Sequence, residues 1–95
     1  MAKIKLDEAN KDSSLLDLGS AIAKRREEKG LSQFRLGLLS QTTQSYISDL
    51  ESGRRNPSFL ILRRIADALE CSLSFLLEEA EAYSKQRKER FDNES

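Results

Sequence analysis

Between Ser32 and Asn56 the chain carries two short helical patterns with only a few residues between them, and this spacing constrains the fold more than any other feature. The first pattern takes Ser32 as N-cap, places Gln33, Phe34 and Arg35 in its opening turn, and sets Leu36 and Leu39 one turn apart as an apolar face. It ends near Ser40. The second takes Thr43 as N-cap and Gln44 and Ser45 as its first helical residues, with Ile47 and Leu50 as its apolar face and Gly53 as its stop. Isolated helices shorter than ~12 to 15 residues are marginal in water. The rest of the chain must therefore clamp both.

The remaining sequence supplies that clamp. Residues 1–13 are polar and mixed in charge, with only Ile4 and Leu6 apolar, and read as a flexible arm. A first helix is predicted from about Ser14 to Lys29, with Ser14 as cap, Asp17 favourably placed against the helix dipole and Gly30 as stop. Its inward stripe of Leu15, Leu18 and Ile22 continues into Arg25 and Arg26, so one of these arginines must lie at the core edge with a charge partner. After Gly53, Pro57 holds Asn56 extended and Ser58 caps a fourth helix with Phe59, Leu62, Ile65, Ala66 and Leu69 inward. Ser72 caps a fifth, with Leu73, Leu76, Leu77 and Ala80 inward. Beyond Ala80 the pattern thins to Tyr83 and Phe91. Residues 84–95 read as a charged tail able to extend the fifth helix to about Arg90. The prediction is an all-α domain of five helices over residues 14–83.

Composition narrows the chemistry. The 95 residues include no histidine and one cysteine, Cys71, so an internal disulfide and a Cys/His zinc site are excluded. With no glycine-rich phosphate loop either, no catalytic constellation can be assembled, and neither an enzyme nor a cofactor or metal site is expected. Cys71 reads as a small buried hydrophobe. No stretch approaches the ~18 apolar residues of a membrane span. The opening residues lack the apolar core of a signal peptide, so a cytoplasmic protein is expected. Net charge is zero, yet Lys24 to Arg64 carries nine basic and four acidic residues, whereas Ile65 to Tyr83 carries five acids and no base. One end of the fold should be basic and the other acidic. Charge alone reads these as solvated faces; taken with the two short helices, Lys24, Arg25 and Arg35 are expected to cluster with Arg54 and Arg55 as a phosphate-binding surface.

Two short helices joined by a tight turn make a helix-turn-helix unit, whose second helix can enter a DNA groove. The run Leu31-Ser32-Gln33-Phe34-Arg35-Leu36, then Tyr46-Ile47-Ser48, Glu51, Gly53 and Arg55-Asn56-Pro57-Ser58, resembles the λ-repressor-like helix-turn-helix family of phage repressors, restriction-modification controller proteins and small bacterial regulators. Ile65-Ala66, Ala68-Leu69 and Ser72-Leu73 extend the resemblance, which covers about residues 15–77. The chain departs from it at Ser40-Gln41, where leucine and glycine are usual, at Glu70, which replaces a helix-ending glycine, and at Arg25, which replaces a core leucine. A non-glycine residue at positive φ is therefore expected, at a cost of ~1 kcal/mol or more.

The resemblance implies a sequence-specific regulator of transcription with double-stranded DNA as partner. It gives Gln44 the leading base-reading role, since glutamine can pair twice with adenine N6 and N7. Ser45, Gln41 and Ser48 follow. Phosphate contacts fall to Gln33, Thr43, Tyr46, Arg54, Arg55, Asn56 and Arg26, and Arg26 is also paired with Glu51 as a structural ion pair. A homodimer on a palindromic operator is implied, with recognition helices ~34 Å apart. Phe75, Leu60 and Ile61 are candidate interface residues, and Phe34 with Leu38 is another exposed apolar pair. The competing reading is an antitoxin or bridging module that engages a protein partner through residues 78–95.

Overall fold

The computed structural model describes residues 13–94 as five helices, with no strand among them. They are α1 Ser13–Glu28, α2 Gln33–Leu39, α3 Gln44–Glu51, α4 Phe59–Ala68 and α5 Leu73–Glu94. The fold is all-α, with the helix-turn-helix at α2 and α3. The expected arm, apart from Ser13, lies outside the described residues.

Local chemistry sets most of the boundaries. The hydroxyls of Ser32, Thr43, Ser58 and Ser72 accept the backbone N–H three residues later, at 3.0, 3.0, 3.2 and 3.0 Å. Each cap is worth about 1 kcal/mol. Four helices also end in one kind of turn, in which a left-handed residue is followed by an N–H that returns to the carbonyl five residues back. Those bonds run from Leu31 to Arg26, Thr42 to Gly37, Arg54 to Asp49 and Cys71 to Ala66. Glycine fills the left-handed position twice, as Gly30 and Gly53; Gln41 (φ 61°) and Glu70 (φ 55°) fill it at the other two ends. A side chain there costs about 1–2 kcal/mol.

The core draws on every helix: Leu18, Ala21 and Ile22 of α1, Leu36 of α2, Ile47 and Leu50 of α3, Leu62, Ile65 and Ala66 of α4 with Leu69 after it, and Leu76 of α5. Three residues assigned inward by spacing instead face solvent: Leu39 at 47% exposure, Phe59 at 69% and Leu77 at 43%. The inward row of α2 is Leu36, Gly37 and Ser40, because α3 begins against Gly37; a Cβ at Gly37 would sit 2.7 Å from the Thr43 carbonyl carbon. That row leaves Leu39 off the core. Phe59 opens α4 one turn before the buried row, at the edge of the domain. Ile61 errs the other way, packing partly buried against the core.

A second close approach fixes α1 over the end of α3. A Cβ at Gly19 would lie 2.4 Å from the Leu50 carbonyl oxygen. At its far end α5 continues past Arg90 to Glu94, and Arg87 pairs with Asp17 of α1. Asp17 is therefore a buried ion-pair partner beyond the first turn of α1 rather than a first-turn charge set against the helix dipole, and Tyr83 packs partly buried against the core. Cys71 is half-buried; burial pushes its thiol pKa up, opposed by neighbouring Arg25, which is distant in sequence. Among the described residues no helix is long and apolar enough to cross a membrane.

Gly19→Ala is expected to destabilise the domain by about 1–3 kcal/mol through overpacking against immobile backbone. Gln41→Gly is expected to raise stability by up to about 1 kcal/mol by relieving positive φ. Urea unfolding of the two variants against the unsubstituted chain checks both signs.

Candidate nucleic-acid interface

The carboxylate of Glu51, in the last turn of α3, is the hub of the site. Arg26 of α1 grips it in a two-pronged contact, Nε donating to Oε2 at 2.6 Å and Nη2 to Oε1 at 3.1 Å. Arg26 Nη1 also donates to the Leu31 carbonyl at 2.8 Å, tying in the linker to α2. Both side chains are enclosed, at 13% and 8% exposure. The hydrogen bond to Glu51 raises the Arg26 pKa further above its already high ordinary value. Gln33 then donates from Nε2 to Glu51 Oε1 at 2.9 Å. One carboxylate thus joins α1, the N-terminus of α2 and the C-terminus of α3. Sequence reasoning placed Gln33 only at a phosphate; its tie to Glu51 was missed, because nothing local connects residues 18 apart.

On α3, burial of Ile47 and Leu50 turns Gln44 and Ser45 to solvent, with Ser48 partly exposed one turn on. Thr43, also exposed, spends its hydroxyl on the Tyr46 N–H. Tyr46 packs half-buried against the core, and burial raises its phenol pKa despite the opposing field of Arg55. The Arg55 guanidinium carbon lies 5.2 Å from the centre of the Tyr46 ring. Arg54 and Arg55 also flank Asp49, at 3.9 and 3.8 Å. Arg54, Arg55 and Asn56 are all exposed, as is Arg35 on α2.

Gln41 is separated from that row: it lines an open groove with Leu31, Leu39, Arg64 and Asp67. Lys24 and Arg25 are likewise not part of the arginine cluster. Lys24 donates to Glu79 of α5 at 3.3 Å, and that hydrogen bond raises its pKa. Arg25 donates to the carbonyls of Leu69 and Glu70 at 3.1 and 3.2 Å and stands over the Phe75 ring. The arginine in place of a core leucine thus caps the C-terminal end of α4, where cations are favoured. Lys29 pairs with Glu70, and this contact lowers the Glu70 pKa. Phe75 and Leu60 are exposed.

A family model described as helix-turn-helix matches residues 22–76. Over 55 residues the chain is 46% identical to the HTH-type transcriptional regulator y4dJ of Sinorhizobium fredii, covering 58% of this chain and 71% of that protein. Over 66 residues it is 41% identical to the competence pilus inhibition repressor of Acinetobacter baylyi, covering 67% and 60%. The chain therefore spans less than two thirds of that repressor. The clp gene regulator ClgR of Corynebacterium glutamicum superposes with a TM-score of 0.81 at 29% identity, over 83% of this chain and 84% of that one. The restriction-modification controller protein C.AhdI of Aeromonas hydrophila gives 0.64 at 35%, over 65% and 94%.

Removing one member of the enclosed pair leaves a buried charge uncompensated. Glu51→Ala is expected to cost about 3–5 kcal/mol, and replacing both partners, as in Arg26→Met with Glu51→Leu, to cost markedly less. Denaturant unfolding of the single and double variants reads the difference.

Proposed function

Because the chain belongs to the helix-turn-helix family of DNA-binding transcriptional regulators, we propose that it binds a specific duplex operator with α3 in the major groove. The observation that carries this reading is the geometry around Glu51. It fixes α3 to α1 and holds Gln33 at the N-terminus of α2, where exposed backbone N–H groups also favour an anion. Gln33 uses one amide hydrogen on Glu51 and has the other for a phosphate oxygen. Gln44 reads a base edge by two hydrogen bonds, with Ser45 and Ser48 beside it on the outward row. Gln41, turned toward the α4 groove and away from that row, is the least supported of the base-reading candidates.

Thr43, Tyr46, Asn56, Arg54 and Arg55 bracket α3 on the phosphate side, and their contacts are sequence-independent. Arg26 acts mainly through Glu51, with its positive field under the same phosphates. A single module of this kind reads few base pairs, so the proposal includes a homodimer on a palindromic operator. Exposed Phe75 and Leu60 are the residues assigned to its interface, while the inward packing of Ile61 leaves it a supporting role. The pairing of Arg87 with Asp17 supports treating the outer part of α5 as part of the domain, and disfavours residues 78–95 as a tail free for another protein.

Selection of duplexes from a random palindromic pool, followed by binding titrations, tests the recognition roles. Gln44→Ala should relax preference at one base position by ~1–3 kcal/mol, whereas the Arg54→Ala/Arg55→Ala pair should weaken every sequence and flatten the salt slope by about 1 to 2. Equal affinity of the unsubstituted chain for selected and random duplexes would overturn the reading. Sedimentation should find two chains at micromolar concentration and one after Phe75→Glu; a monomer throughout would remove the dimer.

A further inference from the structure

Within residues 32–58, the segment assigned to DNA, the sequence places only two acids, Asp49 and Glu51. Glu51 is committed to Arg26 and Gln33. Asp49 is different: about a third of its side chain is exposed, and it stands one helical turn beyond Ser45 on α3. A carboxylate there repels a polyanion. Its neighbours are the two arginines proposed to bind phosphate, Arg54 Nη1 at 3.9 Å and Arg55 Nε at 3.8 Å. Neither contact is within hydrogen-bonding distance, and the arginines are 72% and 53% exposed. Loose, exposed pairs of this kind exchange partners readily.

The loop does not need these contacts for its shape. The Arg54 N–H already returns to the Asp49 carbonyl at 2.9 Å, Gly53 takes the left-handed turn, and Arg55 rests over the Tyr46 ring. The Asp49 carboxylate therefore has no structural duty comparable to that of Glu51. We propose that Asp49 is a positioning residue that acts as an internal counter-ion for Arg54 and Arg55, holding them poised beside α3 and competing with DNA phosphate for them. Each phosphate contact then displaces Asp49, which regains a solution cation. Binding to any sequence is weaker and less salt-dependent than two unpaired arginines would give. A regulator held back in this way spends less of its time on non-operator DNA.

This proposal rests on the DNA-binding reading above. The test is Asp49→Asn, nearly isosteric at a part-exposed site, titrated across a range of salt against both a selected duplex and a random-sequence duplex of equal length. Affinity for both should rise about three- to tenfold, the gain expected from releasing two surface pairs, and Asp49→Glu should stay near the unsubstituted chain. The salt slope should steepen by about 1. In the Arg54→Ala/Arg55→Ala background the gain should shrink to what losing the carboxylate's own screened repulsion leaves, under about twofold. Unchanged affinity and slope, weaker binding, or a gain undiminished without the two arginines would each overturn the proposal. Failure of the unsubstituted chain to bind either duplex would overturn the DNA reading itself, and this proposal with it, and is distinguishable from those results.

Discussion

The Glu51 carboxylate accepts hydrogen bonds from Arg26 on α1 and Gln33 on α2 while sitting on α3, and the remainder of the structure depends on that junction. Helices of seven and eight residues are too short to persist alone. Apolar contact holds them to the domain through Leu36, Ile47 and Leu50, but such contact is non-directional and leaves rotation and register free. The charged, two-pronged contact removes that freedom, since its geometry is satisfied in one arrangement only. Close approach of backbones does the rest. Gly19 lies against the Leu50 carbonyl and Gly37 against Thr43, so α1, α2 and α3 meet where no side chain fits between them. The outward faces of α2 and α3 are thereby fixed relative to each other.

Features set by near neighbours in sequence were legible before the structure. The four hydroxyl caps, the stops at Gly30 and Gly53, and the buried row Leu62, Ile65, Ala66 and Leu69 follow from local chemistry and helical spacing. The strained positions could also be narrowed down, since Gln41 and Glu70 stand where glycine is usual and both take positive φ. What spacing alone misplaced were Leu39, Phe59 and Leu77, each on a helix with more apolar residues than its buried face holds. Which apolar row turns inward depends on a partner helix, and in α2 that choice follows from the contact at Gly37. The site divides in the same way. Arg26 and Glu51 were paired by resemblance, and Gln44 and Ser45 by position in the first turn of α3. The tie of Gln33 to Glu51, the shelter of Arg55 on Tyr46, and the loss of Lys24 and Arg25 to the α4–α5 side all arise from tertiary contacts.

Zero net charge conceals a division of labour among the ion pairs. Lys24 with Glu79, Lys29 with Glu70 and Arg87 with Asp17 join α1 to the region that follows α4 and to α5, the first two using lysines from the basic stretch Lys24 to Arg64. The two exposed lysine pairs contribute little stability individually, and salt screens them. Their larger effect is to leave Arg35, Arg54 and Arg55, offset in part by Asp49, as the positive charge around α2, α3 and the following loop, Arg26 being neutralised by Glu51. Local surplus rather than net charge is what a polyanion meets at this range, since the Debye length is about 8 Å at physiological ionic strength.

The central claim is that one rigid surface, made by the N-terminus of α2, the outward row of α3 and the loop after it, meets the duplex. Amide chemical shifts of the isotopically labelled chain, followed during titration with a selected duplex, test this most directly. The account predicts that the largest changes fall at residues 32–33, 43–49 and 54–56, with those of α5 small. Changes concentrated on α5, with residues 43–49 unmoved, would contradict it.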